Sequence, residues 1–344
     1  MKDPIRYVRP NILSLTPYST ARDEYKGPLG IFLDANESPY DNGYNRYPDP
    51  AQKSLKERLS AIKGVAADRI FIGNGSDEAI DLCFRIFCEP RIDNAVAIAP
   101  SYGMYRVAAA INDVEMPEVQ LVADFSLDTE RLFSVVDRQT KLLWLCSPNN
   151  PSGQCFPHTQ IEEILRRFDG MVVLDEAYID FADEPGFLGE LDRRPNLIIL
   201  QTLSKAWGMA GLRLGLAFSS SKVIDIFSRV KYPYNINVAT QQIVSKLLEE
   251  GVDDKVREIR REQQRIEREL AACPAIEQIF PSDANFVLVR TADPRDLYDQ
   301  LIAARIIVRD RSRIRGCEGC LRITVGTPAE NDRMLEIVKN YRHA

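Results

Sequence analysis

Short apolar runs that alternate with amphipathic stretches constrain the fold of this chain more than any other feature of its sequence. Each run is short and almost continuously apolar, which is typical of a strand buried on both faces. Six strands are predicted in this way, at residues 70–72, 95–99, 142–146, 171–174, 197–200 and 212–218. Because parallel strands need crossover connections, we expect helices to cover both faces of one mostly parallel sheet in an α/β fold.

The sequence changes character after about residue 235. A charged stretch of helical periodicity at 239–272 precedes shorter segments, which are predicted as strands at 286–289, 306–308 and 321–325 and as helices at 294–304 and at the end of the chain. Since 344 residues exceed what one hydrophobic core usually organises, we expect two domains. We predict an irregular N-terminal arm (1–30), a large domain (31–235) and a smaller α+β domain (236–344).

The first clear helix is predicted between Pro50 and Gly64. Asp49 can cap its free N–H groups, and proline suits the first helical position. Glycine commonly ends a helix because it adopts a left-handed conformation without strain.

Charge and composition exclude several classes of partner. The formal net charge is -6, and phosphate backbones need clustered basic residues, so no nucleic-acid partner is expected. No run of 18 apolar residues and no secretory signal are evident, and we expect a cytoplasmic protein. We interpret the seven cysteines as reduced, structural thiols. Cys317 and Cys320 form a lone CxxC in a chain with two histidines, so no metal site is expected.

The segment GNGSDEAI, at residues 73–80, is a glycine turn that leads into a helix. Free N–H groups and the helix dipole favour an anion at such a helix N-terminus. A dinucleotide-binding fold is the obvious alternative, but Glu78 occupies the position of the third glycine of its fingerprint. The turn therefore suits a single phosphate better than a pyrophosphate.

Polar residues follow two of the predicted strands, in CSPNNPSGQ (146–154) and LDEAYIDF (174–181). Asp175 ends a buried strand, where a carboxylate needs a cationic partner. A structural aspartate that caps the next turn is the alternative at this position. Turn formation explains the proline and glycine of the first segment, but not why asparagine side chains are offered at this edge of the sheet.

Lys205 lies in TLSKAWGMAGLRLG (202–215), just past another strand, where open α/β sheets bind ligands. A lysine amine is nucleophilic only when it is unprotonated, which requires desolvation or a neighbouring cation. Thr202 and Ser204 provide hydroxyls nearby, and the planar guanidinium of Arg213 can donate two hydrogen bonds to a phosphate. Taken alone, Lys205 is more simply interpreted as a solvated surface lysine.

Six segments together resemble the fold-type I aminotransferases that depend on pyridoxal phosphate (PLP), and the resemblance covers nearly the whole chain. They are NRYPDP, APSYGMY, SPNNPSG, LDEAYIDF, TLSKAWGMAGLRLG and LRITVGTPAEN. NRYP and LDEAYIDF are most similar to the histidinol-phosphate branch of that family. The resemblance implies transfer of an amino group between histidinol phosphate and 2-oxoglutarate, with imidazole acetol phosphate and glutamate as the other pair, in histidine biosynthesis.

The resemblance implies a cofactor role for each chemical group. Lys205 would bind PLP covalently and move the substrate proton, Asp175 would pair with the ring nitrogen, and Asn150 and Tyr178 would contact the ring oxygen. Tyr102 would stack on the ring. The residues implied for the cofactor phosphate are Gly75, Ser76, Asp77, Thr202, Ser204, Arg213 and, from the neighbouring subunit of a homodimer, Tyr47.

The substrates of such an enzyme are anionic, and two arginines in strand-like runs, Arg322 and Arg309, are predicted to bind them. Tyr18 and Asn36 are predicted at the substrate mouth. The basic cluster from Arg309 to Arg315 could attract an anionic substrate or form a solvated hairpin.

Three other functions remain open at this stage. Another fold-type I enzyme, such as an aromatic aminotransferase or a phospho-amino-acid decarboxylase, would share the same frame and lysine. A ligand-binding regulator would need a DNA-binding module, for which residues 1–45 are short and irregular. A nicotinamide dehydrogenase would need the glycine that this chain lacks.

Overall fold

The computed structural model describes residues 3–18 and 30–341, and its largest feature is a seven-stranded sheet. Its strands are β1 Ile70–Asn74, β2 Asn94–Ala99, β3 Glu118–Gln120, β4 Thr140–Cys146, β5 Met171–Asp175, β6 Leu197–Thr202 and β7 Leu214–Phe218. They lie in the order β1-β7-β6-β5-β4-β2-β3. Only β7 runs antiparallel to its neighbours, β1 and β6. The prediction of a mostly parallel sheet is confirmed.

Helices cover both faces of this sheet. They are α1 Pro10–Leu13, α2 Lys53–Lys63, α3 Ser76–Phe87, α4 Met104–Ile111, α5 Thr129–Val135, α6 His158–Arg167 and α7 Ser221–Val230. Successive side chains of β5 pack into different hydrophobic cores, with Val172 and Leu174 in one and Met171 and Val173 in the other. Burial on both faces explains why the strands read as continuous apolar runs rather than as an alternating pattern.

A second, antiparallel sheet follows in the chain. Its strands are β8 Gln278–Phe280, β9 Phe286–Arg290, β10 Arg309–Asp310 and β11 Cys320–Thr324, in the order β10-β11-β9-β8. The helices of this part are α8 Val238–Leu247, α9 Asp253–Ala271, α10 Pro294–Ala303 and α11 Pro328–Asn340. The reciprocal capping box between Thr327 and Glu330 fixes the start of α11.

The two faces of the second sheet have different surroundings. Val287 and Ile323 lie in a core with Leu270 of α9. Phe286 and Leu288, on the opposite face, lie in a core of the seven-stranded sheet. The second sheet therefore presents one face toward the main sheet, and this face reaches the site described below.

Several local predictions need correction. The helix predicted from Pro50 begins at Lys53, because Pro50–Gln52 form a turn in which Asp49 accepts the N–H groups of Ala51 and Lys53. It does end at Gly64, which has a φ of 66°. The strand predicted at 306–308 is wrong, since pairing begins only at Arg309.

Other predicted segments differ in extent. The helical stretch 239–272 is two α-helices, and a residue of positive φ, Gly251, lies between them. The short strands β3 and β8 were not predicted, because each has three residues and is incompletely buried. Residues 3–18 of the predicted arm pack Val8 into a core beside the main sheet. The domain boundaries at 30 and 235 remain predictions. Helix α8 lies beyond residue 235, but it buries Val244 in a core of the main sheet.

Within residues 3–18 and 30–341, no helix is both long enough and apolar enough to cross a membrane.

Candidate active site

The polar strand ends meet around a cavity of about 630 Å³ at one edge of the main sheet. Most of the site residues predicted from the sequence line this cavity: Gly75, Ser76, Asp77, Tyr102, Asn150, Asp175, Tyr178, Thr202, Ser204, Lys205, Arg213, Arg309 and Arg322. The parallel topology explains this convergence, because β4, β5 and β6 end at the same edge.

Asp175, the last residue of β5, is 2% exposed. Its Oδ2 accepts a hydrogen bond of 2.6 Å from the Tyr105 hydroxyl, and its Oδ1 accepts one of 3.0 Å from the N–H of Ala177. Burial raises the pKa of Asp175 to about 6 even though both hydrogen bonds favour the charged form. A buried carboxylate of this kind is stabilised by a cation placed in the cavity.

Lys205 follows β6 by three residues and reaches the same cavity. Its Nζ lies 5.5 Å from the ring centroid of Tyr178. Burial lowers the pKa of this amine, and the positive charges of Arg322 and Arg213 lower it further, while Asp175 opposes the shift. The site thereby increases the fraction of Lys205 that is neutral and nucleophilic.

A chain of side chains connects the second sheet to the main one. Arg322 of β11 donates to Oδ1 of Asn150, and Nδ2 of Asn150 lies 3.5 Å from the Tyr178 hydroxyl. Burial raises the pKa of Tyr178, while the positive charge of Arg322 lowers it. The Tyr178 hydroxyl is therefore protonated at neutral pH and can donate a hydrogen bond into the cavity.

The turn before α3 forms an anion-binding cradle. Gly75 has a φ of 72°, and a Cβ placed there would lie 2.5 Å from Nη2 of Arg213. Gly215 lies so close to the backbone of Gly75 and Ser76 that only glycine fits there. The N-terminal N–H groups of α3 and the Arg213 guanidinium therefore converge on one point, which suits a phosphate.

Polar side chains complete this cradle. Nη2 of Arg213 lies 3.3 Å from Oδ2 of Asp77, and the hydroxyls of Thr202 and Ser204 are 3.0 Å apart. Tyr102 donates a hydrogen bond of 3.1 Å to Oδ1 of Asp77. This bond fixes one end of the half-buried Tyr102 ring at the cavity wall.

Three predicted site residues lie outside this cavity in the single chain. Tyr18 is 73% exposed and Tyr47 is 49% exposed, and Asn36 is also exposed. Asn36 and Tyr47 line a separate groove, in which Tyr47 stacks on Tyr234 with ring centroids 4.3 Å apart. A role for these three residues in the site of the same chain has no support in this geometry.

Sequence reasoning missed three residues of the site. Tyr105 touches Asp175, and Cys146 and Arg311 line the cavity. The sequence carries only weak signals for two of them, since Tyr105 follows Tyr102 by three residues and Arg311 belongs to the basic cluster that begins at Arg309. The sequence predicts only a structural thiol for Cys146.

The CxxC pair lies away from solvent, with Cys317 in the loop between β10 and β11 and Cys320 at the start of β11. Cys317 and Cys320 are both fully buried. Burial raises the pKa of Cys317 to about 12 and raises that of Cys320 as well. Both residues therefore remain thiols at neutral pH.

The chain has extensive similarity to known proteins. A family model described as "Aminotransferase class I and II" matches residues 31–338. A protein of Parabacteroides distasonis, described as histidinol-phosphate aminotransferase, is 52% identical over 99% of this chain and 100% of its own length.

Solved structures share the fold. The histidinol-phosphate aminotransferase from Clostridium acetobutylicum has a TM-score of 0.78 at 25% identity, covering 86% of this chain and 90% of that one. The corresponding protein of Sinorhizobium meliloti, solved with pyridoxal-5'-phosphate, has a TM-score of 0.76 at 24% identity, covering 86% and 82%. The second likeness concerns the fold alone.

The fold, the converging strand ends and the near-complete match to the family model agree with one another. This chain belongs to the class I and II aminotransferases, with the fold-type I architecture.

Proposed function

We propose that this chain is a PLP-dependent aminotransferase that transfers the amino group of histidinol phosphate to 2-oxoglutarate, giving imidazole acetol phosphate and glutamate, in a reversible reaction. The name of the Parabacteroides distasonis relative supports the substrate, since the two sequences are 52% identical over nearly their full length. One observation carries the chemistry: a lysine of lowered pKa and a buried aspartate of raised pKa face the same cavity.

The residues present fit PLP at three separate points. Among the residues that the structure describes, no cation lies within hydrogen-bonding distance of the buried Asp175 carboxylate, which suits a protonated ring nitrogen. The cradle of Gly75 and Arg213 suits the phosphate. Lys205 suits the carbonyl because its amine is partly desolvated.

PLP supplies a carbonyl that accepts the amino group and a ring that withdraws electrons from the substrate α-carbon. Lys205 would hold the cofactor through its amine, and with substrate bound that amine would move the proton that leaves the substrate α-carbon. Asp175 would hold a positive charge on the ring nitrogen, and Tyr178 and Asn150 would donate hydrogen bonds to the ring oxygen.

The substrate end of the cavity is cationic. Arg322 and Arg309 lie there on neighbouring strands, in register with each other. Both substrates carry anionic groups away from the reacting amine, a phosphate in one case and a carboxylate in the other. The two guanidiniums bind either group while the amine reaches the cofactor.

We also propose that the active unit is a cytoplasmic homodimer in which Tyr47 reaches the cofactor phosphate of the partner subunit. Support comes from the apolar side chains exposed before α2, where Ile31 is 92% and Leu33 is 88% exposed. Contiguous exposed apolar surface of this kind is typical of a protein–protein contact.

A substrate panel on the PLP-loaded protein tests the proposed reaction. Histidinol phosphate should be deaminated faster than phenylalanine, and O-phosphothreonine should not be decarboxylated. A faster rate with phenylalanine would identify an aromatic amino acid as the substrate, and a faster rate with O-phosphothreonine would identify a phospho-amino acid.

Borohydride reduction tests the role of Lys205. Reduction should fix the cofactor to the peptide that contains Lys205, and Lys205→Ala should abolish both the label and turnover. Lys246→Ala, which replaces an exposed lysine of α8, is the matched control and should leave both unchanged. A label on another lysine would overturn the assignment.

A further inference from the structure

We propose that Arg311 is a further specificity-determining residue, which joins Arg309 and Arg322 in a three-guanidinium site selective for a phosphate dianion over a carboxylate. The proposal rests on the proposed function, because it assigns a subsite to the phosphate of the substrate. The sequence suggested Arg309 and Arg322, whereas the cavity is lined by Arg311 as well.

Strand register places the three side chains on one face. Arg309 of β10 lies directly opposite Arg322 of β11, and Asp310 lies opposite Leu321. The N–H of Arg311 continues the ladder with a hydrogen bond of 2.9 Å to the carbonyl of Cys320. Since side chains alternate along a strand, Arg311 projects on the same face as Arg309 and Arg322.

That face is the one turned toward the main sheet. Leu321, on the opposite face, is buried in the core beneath α9 and α11. The guanidinium of Arg322 lies 5.0 Å from the ring centroid of Phe286, which belongs to the core of the main sheet. The three arginines therefore line the cavity and do not project into solvent from a hairpin.

The three guanidiniums have no ion-pair partner in the part of the chain that the structure describes. Among residues 3–18 and 30–341, no carboxylate forms an ion pair with Arg309, Arg311 or Arg322. The nearby carboxylate of Asp310 accepts instead from the N–H and hydroxyl of Ser312. The Nε atoms of Arg311 and Arg322 are buried, and the described part of the chain offers them no hydrogen-bond acceptor.

This arrangement is costly without a ligand. Like charges directly opposite on neighbouring strands destabilise a sheet, and buried donors without acceptors add to that cost. Burial and the charges of Arg322 and Arg309 also lower the pKa of Arg311. An anion with two charges and three acceptor oxygens compensates three guanidiniums better than a carboxylate with one charge.

The other arginines of the same loop provide a built-in comparison. Arg313 and Arg315 are exposed, and neither lines the cavity. Arg313→Gln removes the same charge from the same loop as Arg311→Gln without touching the proposed subsite. Any effect of overall charge on the attraction of anions is common to both variants.

Binding to the PLP-loaded protein is measured by calorimetry with two unreactive probes, phenyl phosphate and benzoate. For phenyl phosphate, Arg311→Gln should raise the Kd about 10- to 100-fold, as expected for loss of a charge-assisted hydrogen bond. For benzoate the change should stay within about threefold, and Arg313→Gln should leave both probes unchanged. Binding of phenyl phosphate to the wild type should strengthen as pH rises past about 6, where the monoester becomes a dianion.

A second substitution guards against misfolding. Arg311→Lys keeps the charge and loses the planar fork, so it should give an intermediate loss of phenyl phosphate binding. Equal losses for phenyl phosphate and benzoate, or a response to Arg311→Gln no larger than that to Arg313→Gln, would overturn the proposal. If the wild type binds phenyl phosphate through Arg311 but does not deaminate histidinol phosphate, the proposed function fails and the phosphate subsite stands.

Discussion

The hydroxyl of Tyr105 donates a 2.6 Å hydrogen bond to Oδ2 of Asp175, and both side chains are buried. The ring of Tyr105 stacks on Trp144, with centroids 4.7 Å apart, and Trp144 in turn stacks on Phe84. The carboxylate that is proposed to hold the cofactor ring is thus fixed by an aromatic stack on one face of the main sheet. Tyr105 is a positioning residue, because it acts on the cofactor only through Asp175.

Tyr105→Phe should keep the aromatic stack and lose the hydrogen bond. A hydrogen bond to a charged group contributes about 1.5 kcal/mol or more, so kcat/KM should fall about tenfold. Since this bond favours the charged carboxylate, its loss should raise the pKa of Asp175 and move the acidic limb of the pH–rate profile to higher pH. Tyr298→Phe, which removes a hydroxyl from a partly buried tyrosine of α10 away from the cavity, is the control. A tenfold loss with an unshifted profile would indicate a packing defect only.

Asp175→Asn should lower the activity of the enzyme and stabilise the cofactor-free protein. The folded-state pKa of Asp175, about 6, lies above the ordinary aspartate value of 3.8, so below about pH 4 the carboxyl is protonated and its burial carries no charge penalty. The cost grows as pH rises from 4 to 6 and is complete above pH 6, where it is about 3 kcal/mol. The variant should therefore be more stable than the wild type at pH 8 by up to that amount, with no difference near pH 4.

Urea unfolding at pH 4 and pH 8, with and without PLP, measures this effect. Bound PLP should shrink the difference, because its ring nitrogen compensates the charge of Asp175. Turnover of the variant should fall about 100-fold or more, as expected when a fixed charge at the reacting group is removed. A variant that is less stable than the wild type at pH 8 would show that the carboxylate has a structural role.

The parallel sheet and most of the site follow from the sequence because both depend on local patterns. Continuous apolar runs identify strands that are buried on two faces, and the strand ends of such a sheet converge. This is why Asp175 and Lys205 could be placed in one site from their positions after strands. Their altered pKa values depend on burial, which the pattern of β5 and β6 already implied.

Features that depend on tertiary contacts could not be predicted in the same way. The run 306–308 is apolar but leads into a two-residue strand whose pairing is set by β11. Tyr105 reads as an ordinary helix residue until the neighbouring β5 brings Asp175 within hydrogen-bonding distance. Arg311 was one of several arginines in a basic loop until the register assigned it to a face.

Glu176→Gln should flatten the pH dependence of stability. Burial raises the pKa of Glu176 to about 7, although the N–H of Phe187 and the amide of Gln201 both donate to its carboxylate. Among its charged neighbours, Lys63 lowers this pKa and Asp180 raises it. Glu176 therefore favours the folded state fully below about pH 4.5, and that contribution, up to about 3 kcal/mol, is lost as pH rises to 7.

Glutamine fits this position because Oε1 of Gln201 is buried without a partner among the described residues and, after an amide flip, can accept from the new amide. Urea unfolding of the PLP-loaded protein at pH 5.5 and pH 8 is the measurement. The wild type should lose more stability than Glu176→Gln between these two pH values. Equal losses would mean that Glu176 remains charged in the folded protein.

Hybrid dimers test whether Tyr47 serves the partner subunit. Tyr47→Ala should weaken PLP binding, because it removes a hydroxyl proposed to bind the cofactor phosphate, and Lys205→Ala should be inactive. Consider a dimer of one Tyr47→Ala subunit and one Lys205→Ala subunit. If Tyr47 serves the partner's site, both substitutions fall in the same site and the other site is intact. Such hybrids, isolated with two affinity tags, should have about half of the wild-type activity at limiting PLP.

The hybrid of Lys205→Ala with the wild type is the control and should also retain about half of the activity. If Tyr47 instead serves its own subunit, every site of the test hybrid carries one lesion. Its activity would then not exceed half of that of the Tyr47→Ala homodimer. The stack of Tyr47 on Tyr234 within one chain would in that case be structural, and the exposed groove of Asn36 and Tyr47 would lie outside the catalytic unit.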